Sequence, residues 1–167
     1  MKRTTQTTLA ALLLVGIAAP AFAAPSAQEF VTKASISDMF EIQSSKLALS
    51  KSSDGGIKSF ASHMVADHSK STAKLKATIA KHNLDVQPAT ALDDKHKDLL
   101  TKLQGESGKE FDNDYVSAQK DGHDEAVDLF TDYSKDGDNA SLKKFATAVL
   151  PTIKDHQKMI HDMAEKR

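Results

Sequence analysis

Apolar residues recur at alternating spacings of three and four along most of the chain, the pattern of helices that bury one face. The clearest stripe lies near the C-terminus and comprises Leu142, Ala146, Val149, Ile153, His156, Ile160 and Met163. No segment shows the alternation of apolar and polar residues that is typical of a strand. The sequence therefore predicts an all-α protein.

Capping and breaking residues divide this pattern into four long helices and a short one. Ser26 with Glu29, and Ser107 with Glu110, have the spacing of capping boxes at two helix starts. Pro151 lies inside the last helix and predicts a bend at about residues 148–150. The predicted helices cover about 26–53, 57–82, 93–105, 107–135 and 139 to near the C-terminus.

The turns between the helices predict the topology. Short turns at 54–56 and 136–138 join the long helices into two antiparallel hairpins. About 24 residues connect the hairpins, enough to run the length of a bundle, and they contain the short helix. This predicts a ferritin-like four-helix bundle with a long crossover. An up-down-up-down bundle with a decorated loop is the alternative.

The N-terminal 23 residues have the features of a secretory signal peptide. Lys2 and Arg3 precede an apolar run, and Ala21-Phe22-Ala23 matches the small-x-small cleavage pattern. A membrane anchor is the alternative, but the run is short for a bilayer and is interrupted by Pro20. We expect cleavage after Ala23, a periplasmic or secreted protein, and one domain over residues 24–167.

Composition narrows the classes of function. The 144 residues that remain after removal of the first 23 can bury a core without disulfides, in agreement with the absence of cysteine. Removing Lys2 and Arg3 changes the formal charge from −1 to −3, and charges of both signs are mixed along the chain. Nucleic-acid binding is therefore not expected, since it requires a concentrated basic face. A protein partner or an oligomer stays open.

Polar residues interrupt the apolar faces at one height. A second stripe comprises Ile57, Ala61, Met64, His68, Ser71 and Leu75, with the histidine at its centre. His156 has the same position in the last helix, Glu41 lies on the less regular face of the first helix, and His123 lies at the edge of the apolar face of its helix. At about 1.5 Å of rise per residue, all four lie near the middle of the bundle.

Three imidazoles and a carboxylate are a common ligand set for one zinc, copper or iron ion. We therefore predict a metal site of Glu41, His68, His123 and His156, with Tyr115 and Gln119 as hydrogen-bond partners around it. The alternative is a metal-free polar network that only fixes the packing of the helices. His63 and Asp67, four residues apart, are interpreted as a solvated pair.

The sequence lacks the motifs that several classes of enzyme require. The sequence contains no glycine-rich phosphate loop, no nucleophile elbow and no cysteine. It also contains no Glu-x-x-His, which a carboxylate-bridged di-iron site needs on two helices. A binding or interaction role is favoured over an enzyme.

Three stretches, "FASHMVADHSKSTAKLK", "FDNDYVSAQKDGHDEAVDLF" and "KKFATAVLPTIKDHQKM", resemble the bacterial family of unknown function DUF4142. Its members are often labelled outer membrane proteins and grouped with ferritin-like four-helix proteins. The resemblance covers about residues 28–163 and includes Glu41, which matches an early glutamate of the family. It implies an exported ferritin-like bundle and no particular activity. Gly122 departs from the family pattern and predicts a looser helix beside His123.

Overall fold

The computed structural model describes residues 24–167, and within this range the chain is helical and contains no strand. The predicted signal peptide lies outside the described residues. No described helix has an apolar stretch long enough to cross a membrane. The five helices are α1 (Ala27–Lys51), α2 (Gly55–Lys81), α3 (Asp94–Gly105), α4 (Gly108–Asp136) and α5 (Ala140–Ala164).

The connection between the two hairpins runs the whole length of the bundle. At the start of α1, Gln28 donates a hydrogen bond to the carbonyl of Gln87 (2.8 Å). At the end of α1, Lys51 donates to the carbonyls of Gln104 (2.5 Å) and Glu106 (2.8 Å). Residues 87–106 therefore pass from one end of α1 to the other, and α3 packs on α1 and α4.

This crossover sets the directions of the helices. α1 and α5 point one way, α2 and α4 point the other, and each helix has two antiparallel neighbours in the cyclic order α1, α2, α5, α4. Contacts at both ends of the bundle agree with these directions. The Ala27 amide donates a hydrogen bond to Asp138 at one end, and the Arg167 side chain donates one to Asp54 at the other. The predicted ferritin-like bundle with a long crossover is confirmed, and the up-down-up-down alternative is wrong.

Side chains cap most helix starts, and one of the two predicted capping boxes is among them. The Ser26–Glu29 capping box is present, and Asp54 and Asn139 accept hydrogen bonds from the first amides of α2 and α5. The second predicted capping box is wrong, because Ser107 makes no side-chain cap bond. Gly108 has a φ of +59°, a left-handed conformation that turns the chain sharply into α4.

Two residues that disfavour helix interiors lie inside continuous helices. α5 continues through Pro151, whose side of the helix faces solvent. α4 continues through Gly122, the position at which we predicted a looser helix. Tertiary packing on both sides of each residue holds the helix together where local propensity does not.

Two apolar clusters fill the bundle. The cluster towards the α1–α2 turn includes Phe40, Phe60, Met64, Phe111, Tyr115 and Ile160. The cluster towards the α4–α5 turn includes Phe30, Leu75, Phe130, Tyr133, Leu142 and Ile153. Between them lies a set of buried polar residues, called here the polar layer: Asp38, Glu41, Ser44, Ser45, His68, Ser71, Gln119, His123 and His156.

The turn between α4 and α5 gives a first test of the packing. The ring of Tyr133 stacks on Phe30 with centroids 4.0 Å apart, and a Cβ on Gly137 would lie 2.6 Å from the Tyr133 carbonyl oxygen and 2.7 Å from its ring. We expect Gly137→Ala to lower the free energy of unfolding by about 1–3 kcal/mol, measured by urea denaturation.

Gly105→Ala is the matched control for this substitution. A Cβ at Gly105, the last residue of α3, would have no atom within 4 Å. This variant should be neutral or more stable by up to about 1 kcal/mol, because alanine favours the helix. Equal effects of the two substitutions would contradict the packing described for the turn.

Candidate metal centre

Three histidines from three helices meet in the polar layer. His68 of α2, His123 of α4 and His156 of α5 are all buried. Their ring centroids form a nearly equilateral triangle with sides of 5.5, 5.6 and 5.7 Å. One nitrogen of each ring lies within 4.8 Å of a nitrogen of each of the others. Because nitrogens on a tetrahedral zinc ion lie about 3.3 Å apart, a small inward movement of the rings would suffice to bind one.

Helix register brings these rings together. Each histidine takes an inward position in the apolar stripe of its helix. His68 and His123 lie roughly 20 and 22 Å below the helix starts at the α1–α2 end. His156 lies roughly 24 Å above the start of α5 at the opposite end. In a bundle whose long helices have 25–29 residues, all three heights fall in the middle.

Each ring has one partnered nitrogen. His68 Nδ1 lies 2.8 Å from Asp38 Oδ1, His123 Nδ1 lies 2.8 Å from the Gln119 carbonyl oxygen, and His156 Nε2 lies 3.3 Å from Asp67 Oδ2. An ionised carboxylate or a carbonyl oxygen only accepts hydrogen bonds, so each partnered nitrogen is the donor.

The second nitrogen of each ring is buried and has no hydrogen-bond partner: His68 Nε2, His123 Nε2 and His156 Nδ1. In a neutral imidazole whose proton is on the partnered nitrogen, this second nitrogen carries a lone pair. Buried polar atoms are usually satisfied, so three unsatisfied nitrogens in one cluster need an explanation. A bound metal ion supplies one, because ligating histidines commonly donate their other N–H to a carboxylate or a carbonyl.

Burial keeps two of the rings neutral at pH 7. Together with the nearby His68, it lowers the pKa of His123 to about 3 and that of His156 to about 4. For His68, burial also acts to lower the pKa, but the hydrogen bond to Asp38 and the charges of Glu41 and Asp38 outweigh it. The pKa of His68 is therefore raised.

Glu41 lies beside the three histidines and not among them. Its side chain is 2 % exposed, Oε1 lies 3.9 Å from His123 Nδ1, and Oε2 has no hydrogen-bond partner. Burial raises the pKa of Glu41 to about 7, against the opposing charge of His68. The group of atoms close enough to share one ion contains the three histidines without Glu41.

Gln119 and Tyr115, which we predicted as hydrogen-bond partners around the metal site, differ in their contacts. Gln119 contacts His123 through its backbone carbonyl, and its side chain donates to the Ser44 hydroxyl (3.1 Å). The Tyr115 hydroxyl lies 2.8 Å from the Ser45 hydroxyl. The ring of Phe60 has edge contacts with both Tyr115 and His123.

Sequence reasoning did not find the two carboxylates that hold His68 and His156. Asp38, which also accepts a hydrogen bond from Thr72 (3.0 Å), lies one turn before Glu41 on the same helix face. That spacing was the available signal. Asp67 contacts Lys70 (2.9 Å) and His156, so its interpretation as the partner of His63 was wrong.

A cavity of about 20 Å³ adjoins the cluster, and Asp38, His68, Ser71 and His156 are among its lining residues. A volume of this size holds about one water molecule. There is room beside the histidines for a small inorganic ligand, and no room for an organic substrate.

Two solved structures share this fold. "CopM in the Cu(II)-bound form" is 14 % identical and has a TM-score of 0.70, over 86 % of this chain and 98 % of that chain. A DUF305 fragment from Deinococcus radiodurans is 12 % identical with a TM-score of 0.67, over 86 % and 99 %. At these identities the likeness shows the fold alone.

The sequence comparisons point to a family without an assigned activity. None of the curated protein sequences matches this chain. The family described as "Domain of unknown function (DUF4142)" matches residues 15–163, which is most of the 167 residues. The resemblance inferred from the sequence is thereby confirmed, and the protein belongs to the DUF4142 family.

Proposed function

We propose that this protein binds one divalent transition-metal ion between His68, His123 and His156. The observation that carries the proposal is the set of three buried, unpartnered imidazole nitrogens in one cluster. Neutral imidazoles suit copper, zinc and iron, whereas magnesium and calcium prefer oxygen ligands. The partners of the outer nitrogens support the proposal, because they hold each ring in the tautomer that a metal needs.

Copper is the ion to test first. Two of the similar solved structures are titled as the Cu(II)-bound and Cu(I)-bound forms of CopM. Their identities of 14 % and 15 % transfer no ligand to this chain, so the argument for a metal depends on its own histidines. Zinc and iron should be tested beside copper, because histidine ligands bind them as well.

The site fits binding better than turnover. Three histidines leave one position of a four-coordinate ion open, and the adjoining cavity of about 20 Å³ admits a ligand of the size of water. The predicted signal peptide would place the site in the periplasm or outside the cell. We therefore infer an exported protein that stores, carries or sequesters an ion.

The competing function is an interaction protein whose polar layer is purely structural. A structural network should satisfy its own members. Here five buried atoms of the polar layer have no partner: Glu41 Oε2, His68 Nε2, Gln119 Oε1, His123 Nε2 and His156 Nδ1. This favours the metal.

Metal titration of the apo protein, purified without a polyhistidine tag, tests the proposal. We expect one Cu²⁺ per chain, nitrogen hyperfine splitting in the electron paramagnetic resonance spectrum, and loss of both in His123→Gln and His156→Gln. At a free metal concentration a hundredfold above Kd, binding should stabilise the fold by about 2.7 kcal/mol, which raises Tm by roughly 8 °C.

His63→Gln is the matched control, because His63 is an exposed histidine on α2. It should keep the full stoichiometry and the same spectrum. Circular dichroism of each apo variant separates loss of metal from loss of fold. Equal metal binding by wild type, His123→Gln and His156→Gln would overturn the proposal, as would no binding of Cu²⁺, Zn²⁺ or Fe²⁺ by the folded wild type.

Asp38→Asn tests the carboxylate that orients His68. Without this charge, burial dominates, so the pKa of His68 in the apo protein should fall, as measured by NMR titration of the ring. In the wild type the raised pKa means that protonated His68 stabilises the apo fold below pH 6.5. That contribution is lost as the pH rises through the raised value.

The same substitution should weaken Cu²⁺ binding about 10–100-fold. The affinity is best measured by competition at pH 8, where protons compete little for His68. Asp85→Asn, at an exposed position in the crossover, should change neither quantity. An unchanged pKa of His68 in Asp38→Asn would contradict the contact described here.

A further inference from the structure

Gly122 lies in the middle of α4, where alanine would favour the helix. A Cβ at this position would lie 3.2 Å from Glu41 Oε1, which is tighter than an ordinary contact. The missing side chain therefore gives the Glu41 carboxylate its space. A glycine that weakens its own helix needs such a reason, and in this structure the reason is a carboxylate next to His123.

Glu41 and Gly122 line the same groove, which lies between α1 and α4, is covered in part by α3, and has a volume of about 470 Å³. Its walls carry the carboxylates of Asp93, Glu125, Asp128 and Asp132 and the amines of Lys33 and Lys95. Lys95 is paired with Glu125. Negative charge is therefore in excess, and such a groove attracts cations.

The Glu41 carboxylate connects this groove to the histidines. One side of it lines the groove, and Oε1 lies 3.9 Å from the His123 ring. Oε2 is buried and unpaired, with the nearby Gln119 side chain as the contact that a ligand would replace. The separate cavity of about 20 Å³ that adjoins the cluster is too small to pass a hydrated ion.

We propose that the α1–α4 groove is the entrance of the metal ion, and that Glu41 takes the ion from the groove and passes it to the three histidines. Gly122 keeps the passage open. An ion that leaves water pays a large desolvation penalty unless it meets an oppositely charged ligand at once. Carboxylate oxygen binds zinc and copper readily, and Glu41 is the carboxylate of this groove that lies beside the histidines.

This inference rests on the proposed function and makes a kinetic claim. Glu41 acts on the path, so its removal should slow both uptake and release and leave the ligands of the bound ion, and hence its spectrum, unchanged. A final ligand would instead change Kd and the spectrum of the bound metal. A purely structural residue would change neither rate.

Stopped-flow loading of the apo protein with Cu²⁺, and removal of the ion by a chelator, separate these three roles. We expect Glu41→Gln to slow both rates at least tenfold, with the stoichiometry and the resonance spectrum of the bound metal as in wild type. Gly122→Ala should also slow loading, because its Cβ crowds the carboxylate. Glu110→Gln, an exposed glutamate on α4, and Gly105→Ala are the matched controls and should load at the wild-type rate.

Each other outcome decides a different point. Loading and release of Cu²⁺ at wild-type rates in Glu41→Gln would overturn the proposal that the groove is the entrance. A raised Kd with an altered resonance spectrum would make Glu41 a resident ligand and also overturn it. Failure of the wild type to bind any of the three metals would overturn the proposed function itself, and the entrance with it.

Discussion

The structure depends on a polar layer placed between two apolar clusters. Burying imidazoles and carboxylates is unfavourable unless each polar atom is paired, and the bundle pairs only one nitrogen of each histidine. The apolar clusters on both sides fix the helix register, so the rings cannot turn to water for the remaining bonds. The fold thus holds three unpartnered imidazole nitrogens in place at a cost in stability, which is typical of a site that serves a ligand.

The fold was largely predictable because its signals are local. Ser26, Asp54, Asp93 and Asn139 cap their helices, and the length of the crossover distinguishes the ferritin-like topology from a simple bundle. The one wrong cap, at Ser107, comes before a glycine with positive φ. Such a backbone conformation depends on how the chain turns from α3 into α4, and the spacing of residues in the sequence does not indicate this.

The site was predictable in height and only partly in its contacts. Periodicity puts His68 and His156 on inward faces and His123 at the edge of one, all at mid-bundle, because rise and period are properties of any helix. Which acceptor each ring meets depends on rotamers and on the rotation of neighbouring helices. For this reason Asp38 and Asp67 were missed, and Glu41 was predicted among the ligands although it lies beside them.

The distribution of the histidines over the hairpins has a further consequence. His68 comes from the first hairpin, and His123 and His156 come from the second. An ion held by all three would therefore act as a reversible cross-link across a loop of 88 residues, the separation of His68 and His156. In the chain-entropy picture a covalent link of that span restricts the unfolded chain by about 4–5 kcal/mol. In this protein, which has no cysteine, the bound ion would thus act like a disulfide bond that opens when the ion is removed.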